Sequence, residues 1–168
     1  MIKEEIKVIS IKELMKTGTP KEKLLSICDQ LYNMTDFIFE DYPKHKTWFY
    51  QKHLPEVFVE NSGRDIIFAY DKNKRIYGTS FVKEDEIEKK ICTLFVSTDA
   101  RGLGIGTLLV EKSMEILKTT KPMITIADYK LPMFKGLIEK YGWVKTEEVT
   151  GLYNDRHKEL VYNGYLSR

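Results

Sequence analysis

The sequence has few cysteines, no long apolar run and almost no excess of charge of one sign. Cys28 and Cys92 are the two cysteines among 168 residues. They are far apart and lack metal-ligand spacing, so we expect reduced core residues, with neither a disulfide nor a metal site. The net charge of +2 gives no general case for binding to nucleic acid or to a membrane surface.

Segments that would direct the chain to a membrane or out of the cell are also missing. No apolar run approaches the roughly 20 residues that a membrane span needs. The N-terminal stretch MIKEEIKVISIKELMK is too charged to form the apolar core of a signal peptide. We therefore predict a cytoplasmic protein.

The chain also lacks internal repeats, low-complexity tracts and linkers rich in Pro, Gly or Ser. Hydrophobic residues make up 42% of it and charged residues 31%, which is ordinary for a globular protein. We expect a single domain over residues 1–168.

Local patterns predict a mixed α/β or α+β fold, with one mostly antiparallel sheet of about six to seven strands and about four flanking helices. Thr19 and Glu22 should form a capping box around Pro20, and Gly142 should end the last helix. The helix at 45–54 should end before Pro55. The predicted strands are 6–11, the hairpin 65–84, 89–96, 123–128, 143–149 and 158–165, and the predicted helices are 19–39, 45–54, 104–118 and 131–143.

Three glycines, Gly102, Gly104 and Gly106, separate an apolar strand from an amphipathic helix. The first N–H groups of a helix have no intrahelical partner, and the helix dipole adds partial positive charge there. The missing Cβ atoms let a bulky anion approach the backbone, and Arg101 adds a formal positive charge. The pattern predicts a phosphate-binding turn.

Three kinds of phosphate site compete for this turn. A Walker P-loop needs Lys and then Ser or Thr after its last glycine, whereas Thr107 and Leu108 follow Gly106. A dinucleotide fingerprint needs the spacing GxGxxG, which this turn lacks. The third pattern, Arg/Gln-x-x-Gly-x-Gly/Ala, is matched fully by Arg101, Gly104 and Gly106.

That third pattern resembles the acyl-CoA-binding motif of the GCN5-related N-acetyltransferase (GNAT) superfamily. The stretch 94–117 is similar to the family's fourth strand, pyrophosphate loop and third helix. RIYGTSFV (75–82) resembles its third strand, and KYGWV (140–144) resembles a helix end that leads into its sixth strand. The order of elements agrees from about residue 6 to residue 165, which implies the acyl-CoA N-acyltransferase fold.

The resemblance implies transfer of an acetyl group from acetyl-CoA to a primary amine of a small molecule or peptide, directly within a ternary complex. In the family the fourth and fifth strands splay apart, and the pantetheine arm pairs with the fourth strand. Here that pairing would use backbone groups of Phe95 and Val96, and an N–H near Val96 would face the thioester oxygen. The implied cofactor-binding residues are Phe95, Val96, Arg101, Gly102, Leu103, Gly104, Ile105, Gly106 and Thr107.

The catalytic residues implied by the family are not all present. In many members a carboxylate on the fourth strand acts as the general base. This chain has Lys90 at that position. Glu88, two residues earlier, is either the general base or a solvated charge. In many members a Tyr in the last helix acts as the general acid. This chain has Ile138 at that position. Tyr141 lies one helical turn from Ile138 and is either the general acid or a packing residue. Tyr129 is a further candidate for the general acid. Otherwise water protonates the thiolate, or catalysis is inefficient.

The acceptor pocket should form from residues 36–53 and 151–159, which the resemblance places on the acceptor side. The first segment is rich in aromatic residues and carries Asp36, Glu40 and Asp41. These side chains would suit a cationic amine, or they are core aromatics and solvated acids. His45 and His53 lack ligand spacing, so we interpret them as surface or packing residues.

Other function classes stay open. The departures at Lys90 and Ile138 are also compatible with a CoA-binding or interaction module that does not catalyse efficiently. A nucleotide-phosphate binder would need a base-specific pocket that the sequence does not reveal. Cys92 lies inside a strand and favours packing over covalent catalysis, and a homodimer is compatible with the fold.

Overall fold

The computed structural model describes residues 5–153 and 155–166. Within these ranges the order of elements matches the predicted mixed fold, with one additional short helix. The strands are β1 (Lys7–Ser10), β2 (Arg64–Tyr70), β3 (Ile76–Glu84), β4 (Lys89–Val96), β5 (Ile124–Ala127), β6 (Lys145–Thr150) and β7 (Lys158–Tyr162), and the α-helices are α1 (Ile11–Lys16), α2 (Lys21–Thr35), α3 (His45–Trp48), α4 (Leu54–Val57), α5 (Ile105–Leu117) and α6 (Lys135–Tyr141).

The strands form two antiparallel sheets that meet at a single point. One sheet has the order β1-β2-β3-β4, and the other has the order β5-β7-β6. A parallel bridge joins β4 to β5: the N–H of Ile91 donates to the carbonyl of Met123 at 2.9 Å, and the N–H of Met123 donates to the carbonyl of Lys89 at 2.7 Å. Beyond this bridge β4 and β5 are not paired in the described ranges. The splayed strands that the resemblance implied are therefore present.

Two apolar cores cover the two faces of the larger sheet. Because side chains alternate along a strand, Ile66 and Phe68 pack on the face covered by α2, whereas Ile67 packs on the face covered by α5. Phe81 joins the first core and Val82 joins the second.

The first helical cap lies elsewhere than predicted. Ser10 and Glu13 form a capping box at the start of α1, which has six residues and is too short for a periodic pattern to predict. The capping box predicted at Thr19 and Glu22 is wrong, since the N-cap of α2 is Pro20 and no side chain caps that end.

Several helix ends also differ from the prediction. The helical segment does not end before Pro55. It continues through a π-helix (Phe49–His53) into α4, where Pro55 is the second residue, and ends at Val57. α2 gives way to a 3-10 helix (Asp36–Glu40), and another 3-10 helix (Asp128–Phe134) precedes α6. Gly142 caps α6 in the left-handed conformation at φ 65°, as predicted. No helix in the described residues is long and apolar enough to cross a membrane.

His45 is a buried packing residue. Its ring stacks on Tyr32 with the centroids 5.4 Å apart. The hydroxyl of Thr35 donates its one proton to the Tyr32 carbonyl at 2.8 Å, so the Nε2–H of His45 donates to Thr35 Oγ1 at 2.9 Å. Burial lowers the pKa of His45 from 6.5 to about 4.

This burial predicts acid sensitivity. Between pH 6.5 and pH 4 the unfolded chain protonates His45 and the folded chain does not, so stability is lost as the pH falls through this window, by up to about 3 kcal/mol. We expect urea unfolding at pH 7, 6 and 5 to show a shallower pH slope for His45→Gln, whose amide can still donate to Thr35. An unchanged slope would contradict this assignment.

Candidate functional site

The gap between β4 and β5 opens into a cavity of about 610 Å³. Its walls come from β4 and β5, from the ends of β2 and β3, from the segment 38–48 after α2, and from Leu152 and Tyr153 before β7. The cavity exists because the two strands share only the bridge at Lys90 and Met123. A molecule that enters the gap can reach backbone groups of β4 that β5 does not use.

A β-bulge at Cys92 and the pairing of β4 with β3 decide which peptide groups face the gap. Ile91 pairs with Val82 and Thr93 pairs with Phe81, which leaves Cys92 as the extra residue.

The direction of the Val96 peptide groups follows from the next residue. The N–H of Ser97 donates to the carbonyl of Tyr77 at 2.9 Å, on the β3 side. Alternation along the strand then turns the N–H and carbonyl of Val96 toward the gap. Arg101 Nε donates to that carbonyl at 3.1 Å.

Phe95 takes part differently from the prediction. By the same alternation its peptide groups face Thr79 of β3, so its backbone is not available to a ligand in the gap. Its ring contacts the ring of Phe37 with the centroids 5.2 Å apart, and the Arg101 guanidinium lies 5.9 Å from the ring centroid. Phe95 therefore supplies an aromatic surface and holds Arg101 at the mouth of the gap.

The glycine turn has the geometry of an anion site. Gly102 and Gly104 have φ values of 83° and 82°, which favour glycine, and Gly104 is the N-cap of α5. The N–H of Leu108 donates to the carbonyl of Gly104 at 3.1 Å and closes the first turn of α5. The N–H groups of residues 105–107 thus belong to the end that a helix leaves without intrahelical partners.

The side chains of this turn leave the backbone accessible. Leu103 is exposed, whereas Ile105 is buried and anchors the start of α5 in the core. A Cβ on Gly106 would lie 3.6 Å from Val96 Cγ2, so the turn lies directly beside the end of β4. Thr107 is half-buried in the first turn of the helix.

Gly78 of β3 explains how α5 comes so close to the sheet. A Cβ at this position would lie 2.6 Å from the Phe95 carbonyl oxygen and 2.9 Å from Leu109 Cδ1. Only glycine therefore fits beneath the N-terminal half of α5. The close approach of this helix to the sheet places the glycine turn beside the end of β4.

The two weak catalytic candidates have other partners. The Glu88 carboxylate forms an ion pair with Lys83 Nζ at 2.6 Å. The Tyr141 hydroxyl donates to Glu111 of α5 at 2.7 Å and does not line the cavity. Ile138 packs on the core, and the Tyr129 hydroxyl donates to Asp41. The structure thus does not bring Tyr141 to the site.

The structure adds a pair that the sequence did not reveal. Tyr42 lines the cavity and donates its hydroxyl to Glu159 Oε1 at 2.6 Å. Glu159 is 3% exposed, and its Oε2 has no hydrogen-bond partner in the described residues. Burial raises the pKa of this carboxyl, and burial together with the bond to Glu159 raises the pKa of Tyr42. No local signal could have found two residues 117 positions apart.

Of the two alternatives left open for Asp36, Glu40 and Asp41, an acidic pocket for a cationic amine is wrong. Asp36 accepts a hydrogen bond from Tyr32, Asp41 accepts one from Tyr129, and neither these two nor Glu40 lines the cavity. Among the aromatic residues predicted to shape the pocket, Tyr42 and Trp48 line the cavity. The cavity is lined instead by basic side chains, namely Lys44, Arg64, Lys83, Lys90 and Lys130.

Cys92 lines the cavity without the properties of a nucleophile. Burial raises the pKa of its thiol, and the nearby charges of Lys90 and Arg64 only partly oppose this. A thiol with a raised pKa carries little thiolate at neutral pH. No group of three or more potential metal ligands occurs in residues 5–153 and 155–166.

Comparison with known proteins gives a match at the level of the domain family. A family model described as "Acetyltransferase (GNAT) domain" matches residues 30–151. No curated protein sequence matches the chain significantly.

Solved structures match over nearly the whole chain at low sequence identity. A GNAT-family acetyltransferase structure from Desulfovibrio desulfuricans shares 11% identity with a TM-score of 0.65, over 94% of this chain and 96% of that one. One from Elizabethkingia anophelis, with acetyl-CoA bound, shares 16% identity with a TM-score of 0.62, over 98% and 100%.

Nourseothricin acetyltransferase shares 17% identity with a TM-score of 0.54 over 62% of this chain, which spans 66% of its length. At these identities the structural matches show a shared fold.

The geometry of the glycine turn predicts a graded response at Gly106. Gly106→Ala should retain both folding and CoA binding, because its φ is not positive and the added Cβ makes only an ordinary contact. Gly106→Val should stay folded but weaken CoA binding at least tenfold, because its methyl groups reach into the N–H cradle. Calorimetric titration with CoA measures the effect.

Gly136→Val in α6 is the matched control, since a Cβ there meets nothing within 4 Å. Because Val has a slightly higher helix propensity than Gly, this variant should stay folded, and it should leave CoA binding unchanged. Normal CoA binding by Gly106→Val would overturn the assignment of the turn.

Proposed function

Because the chain belongs to the GNAT acetyltransferase family, we propose that it transfers an acetyl group from acetyl-CoA to a primary amine. One observation carries this proposal: β4 and β5 diverge beside a helix N-terminus whose glycine turn leaves backbone N–H groups accessible. The family match over residues 30–151 connects that geometry to acetyl transfer.

The two ends of the gap suit the two ends of acetyl-CoA. The pyrophosphate would bind the N–H groups at the start of α5, with Arg101 as a charged partner. The pantetheine arm would extend along β4 and pair with the peptide groups of Val96 that face the gap. The structure from Elizabethkingia anophelis has acetyl-CoA bound, which supports this co-substrate for the shared fold.

We propose direct transfer because the cavity offers no activated nucleophile of its own. The amine nitrogen attacks the thioester carbon, the C–N bond forms, and the C–S bond breaks as CoA leaves. The raised pKa of Cys92 disfavours an acetyl-cysteine intermediate. Both substrates must therefore be bound together.

Two protons must move in this reaction, and the structure offers a group for each. The amine proton passes to the Tyr42 oxygen while Tyr42 gives its own proton to Glu159. Burial raises the pKa of this carboxyl, which makes its ionised form a stronger proton acceptor. Tyr153 lines the same cavity, and burial raises the pKa of its hydroxyl. It is therefore protonated at neutral pH and can donate to the departing CoA thiolate.

The cofactor assignment predicts selective stabilisation. Acetyl-CoA and CoA at a hundred times their dissociation constants should each raise the free energy of unfolding by about 2.7 kcal/mol, or the melting temperature by about 5–10 °C. ATP and NAD should give no comparable shift, because the turn lacks both nucleotide motifs. No shift with either CoA species would refute the proposed function, whereas a shift without acetylation of any amine would indicate a CoA-binding module.

The proton pathway predicts a specific effect of Glu159→Gln. The amide keeps the hydrogen bond to Tyr42 but cannot accept the proton, so kcat should fall about 100-fold or more with little change in either KM. In the unsubstituted protein kcat should rise with pH as Glu159 ionises. This rise of kcat with pH should be absent in the variant.

The matched control is Glu148→Gln on the neighbouring strand β6, where the carboxylate forms an ion pair with Lys145 outside the cavity. It should leave kcat and the pH profile unchanged. A Glu159→Gln enzyme with normal kcat and the same pH limb would show that Glu159 is structural.

A further inference from the structure

Three basic residues stand directly opposite one another across three adjacent strands. Arg64 of β2 pairs with Lys83 of β3, and Lys83 pairs with Lys90 of β4. Opposite residues in antiparallel strands project on the same face, and all three side chains line the cavity. Like charges in such positions destabilise a sheet, so this row needs a reason.

The first member of the row is rigidly oriented. Arg64 is 9% exposed, and its guanidinium contacts Glu56 Oε2 at 2.5 Å and His53 Nδ1 at 3.0 Å. The other nitrogen of His53 faces the Asp65 carbonyl at 3.0 Å and must donate to it, so Nδ1 accepts from Arg64. Burial lowers the pKa of His53 to about 3, which keeps it a neutral acceptor.

The other two members differ in their partners. Lys83 pairs with Glu88 at 2.6 Å, and with the half-exposed Asp85 at 3.5 Å. The Lys90 side chain lines the cavity and forms no ion pair or hydrogen bond with another side chain in the described parts of the chain. Its ammonium group is thus the member of the row that is available to a ligand in the cavity.

We propose that the acceptor is a small amine that also carries a carboxylate, and that Lys90 binds this carboxylate beside Lys83 and Arg64. This inference rests on the proposed acetyltransferase function and names its substrate class. A carboxylate forms a short, charge-assisted hydrogen bond with an ammonium group. Polyamines should be poor acceptors, because their additional positive charges would face the basic residues of the cavity.

The position of the row sets the distance that the acceptor has to span. Lys90 lies at the bridge to Met123, where β4 leaves β5 and the gap begins, and it precedes Val96 by six residues, or about 20 Å along β4. The row projects on the Phe81 face of the sheet, opposite the face that packs against α5. The carboxylate would therefore bind at the closed end of the gap, with the amine directed toward the thioester from the side opposite the cofactor helix.

The same positive row would assist the chemistry. A like charge nearby disfavours the protonated form of an amine, so the bound acceptor would lose its proton more readily than the same amine in water. The carboxylate fixes the acceptor and the lysine row lowers the amine pKa, so the pocket would combine recognition with activation.

The test compares matched acceptors in steady-state kinetics with saturating acetyl-CoA. The twenty amino acids are each compared with their amides and with their decarboxylated amines, and spermidine is added. At least one amino acid should exceed its amide at least tenfold in kcat/KM. The amide has the less basic and more readily deprotonated amine, so a preference against it reports carboxylate recognition.

Variants of the row provide the second arm. Lys90→Gln should raise KM for the preferred amino acid at least tenfold while KM for acetyl-CoA and its thermal shift stay unchanged. Lys90→Glu should shift the preference toward amides and diamines. Lys89→Gln is the control, since Lys89 is the adjacent residue on β4 and its side chain pairs with Glu84 outside the cavity.

The outcomes separate this inference from the proposed function. Acetyl-CoA stabilisation together with amides, decarboxylated amines or spermidine that equal or exceed the amino acids would overturn the carboxylate site and leave the acetyltransferase intact. An unchanged KM in Lys90→Gln would do the same. Failure of acetyl-CoA to stabilise the protein would refute both.

Discussion

Two hydrogen bonds between β4 and β5 are the contact on which the rest of the structure depends. They connect Ile91 and Lys89 to Met123 and hold the two sheets together at one end. If pairing continued along both strands, β5 would satisfy the β4 backbone and no cavity would exist. Because pairing stops there, the N–H of Val96 is not used by β5, beside the glycine turn that begins α5.

The two faces of the larger sheet separate the two proposed substrates. On one face, α5 packs close to the sheet because Gly78 leaves room for Leu109, and the start of this helix faces the end of β4. On the other face, the segment after α2 places Tyr42 over the gap, next to a row of basic side chains. Cofactor and acceptor would thus approach the thioester carbon from opposite sides.

Buried polar groups concentrate around this cleft, and each has a physical consequence for it. His53 stays neutral and orients Arg64, whereas Glu159 keeps one buried oxygen without a partner. Such groups lower stability unless they are satisfied, and their clustering at a cavity is typical of a functional site. The basic lining also changes the expected acceptor, because it disfavours a plain cationic amine.

The sequence by itself determined the order of elements, the glycine turn and the family, since these depend on periodicity and on spacing within a few residues. Arg101, Gly104 and Gly106 lie within six positions, and Gly142 ends α6 for a local conformational reason. The sequence did not predict elements that are short or that depend on tertiary contacts, such as the six-residue helix α1 and the helical segment that continues through Pro55. Only the tertiary structure decided which side chains share the cavity. Tyr42 meets Glu159, and Arg64, Lys83 and Lys90 form one row, because strand register and the splay of β4 from β5 bring together residues that no short-range pattern connects.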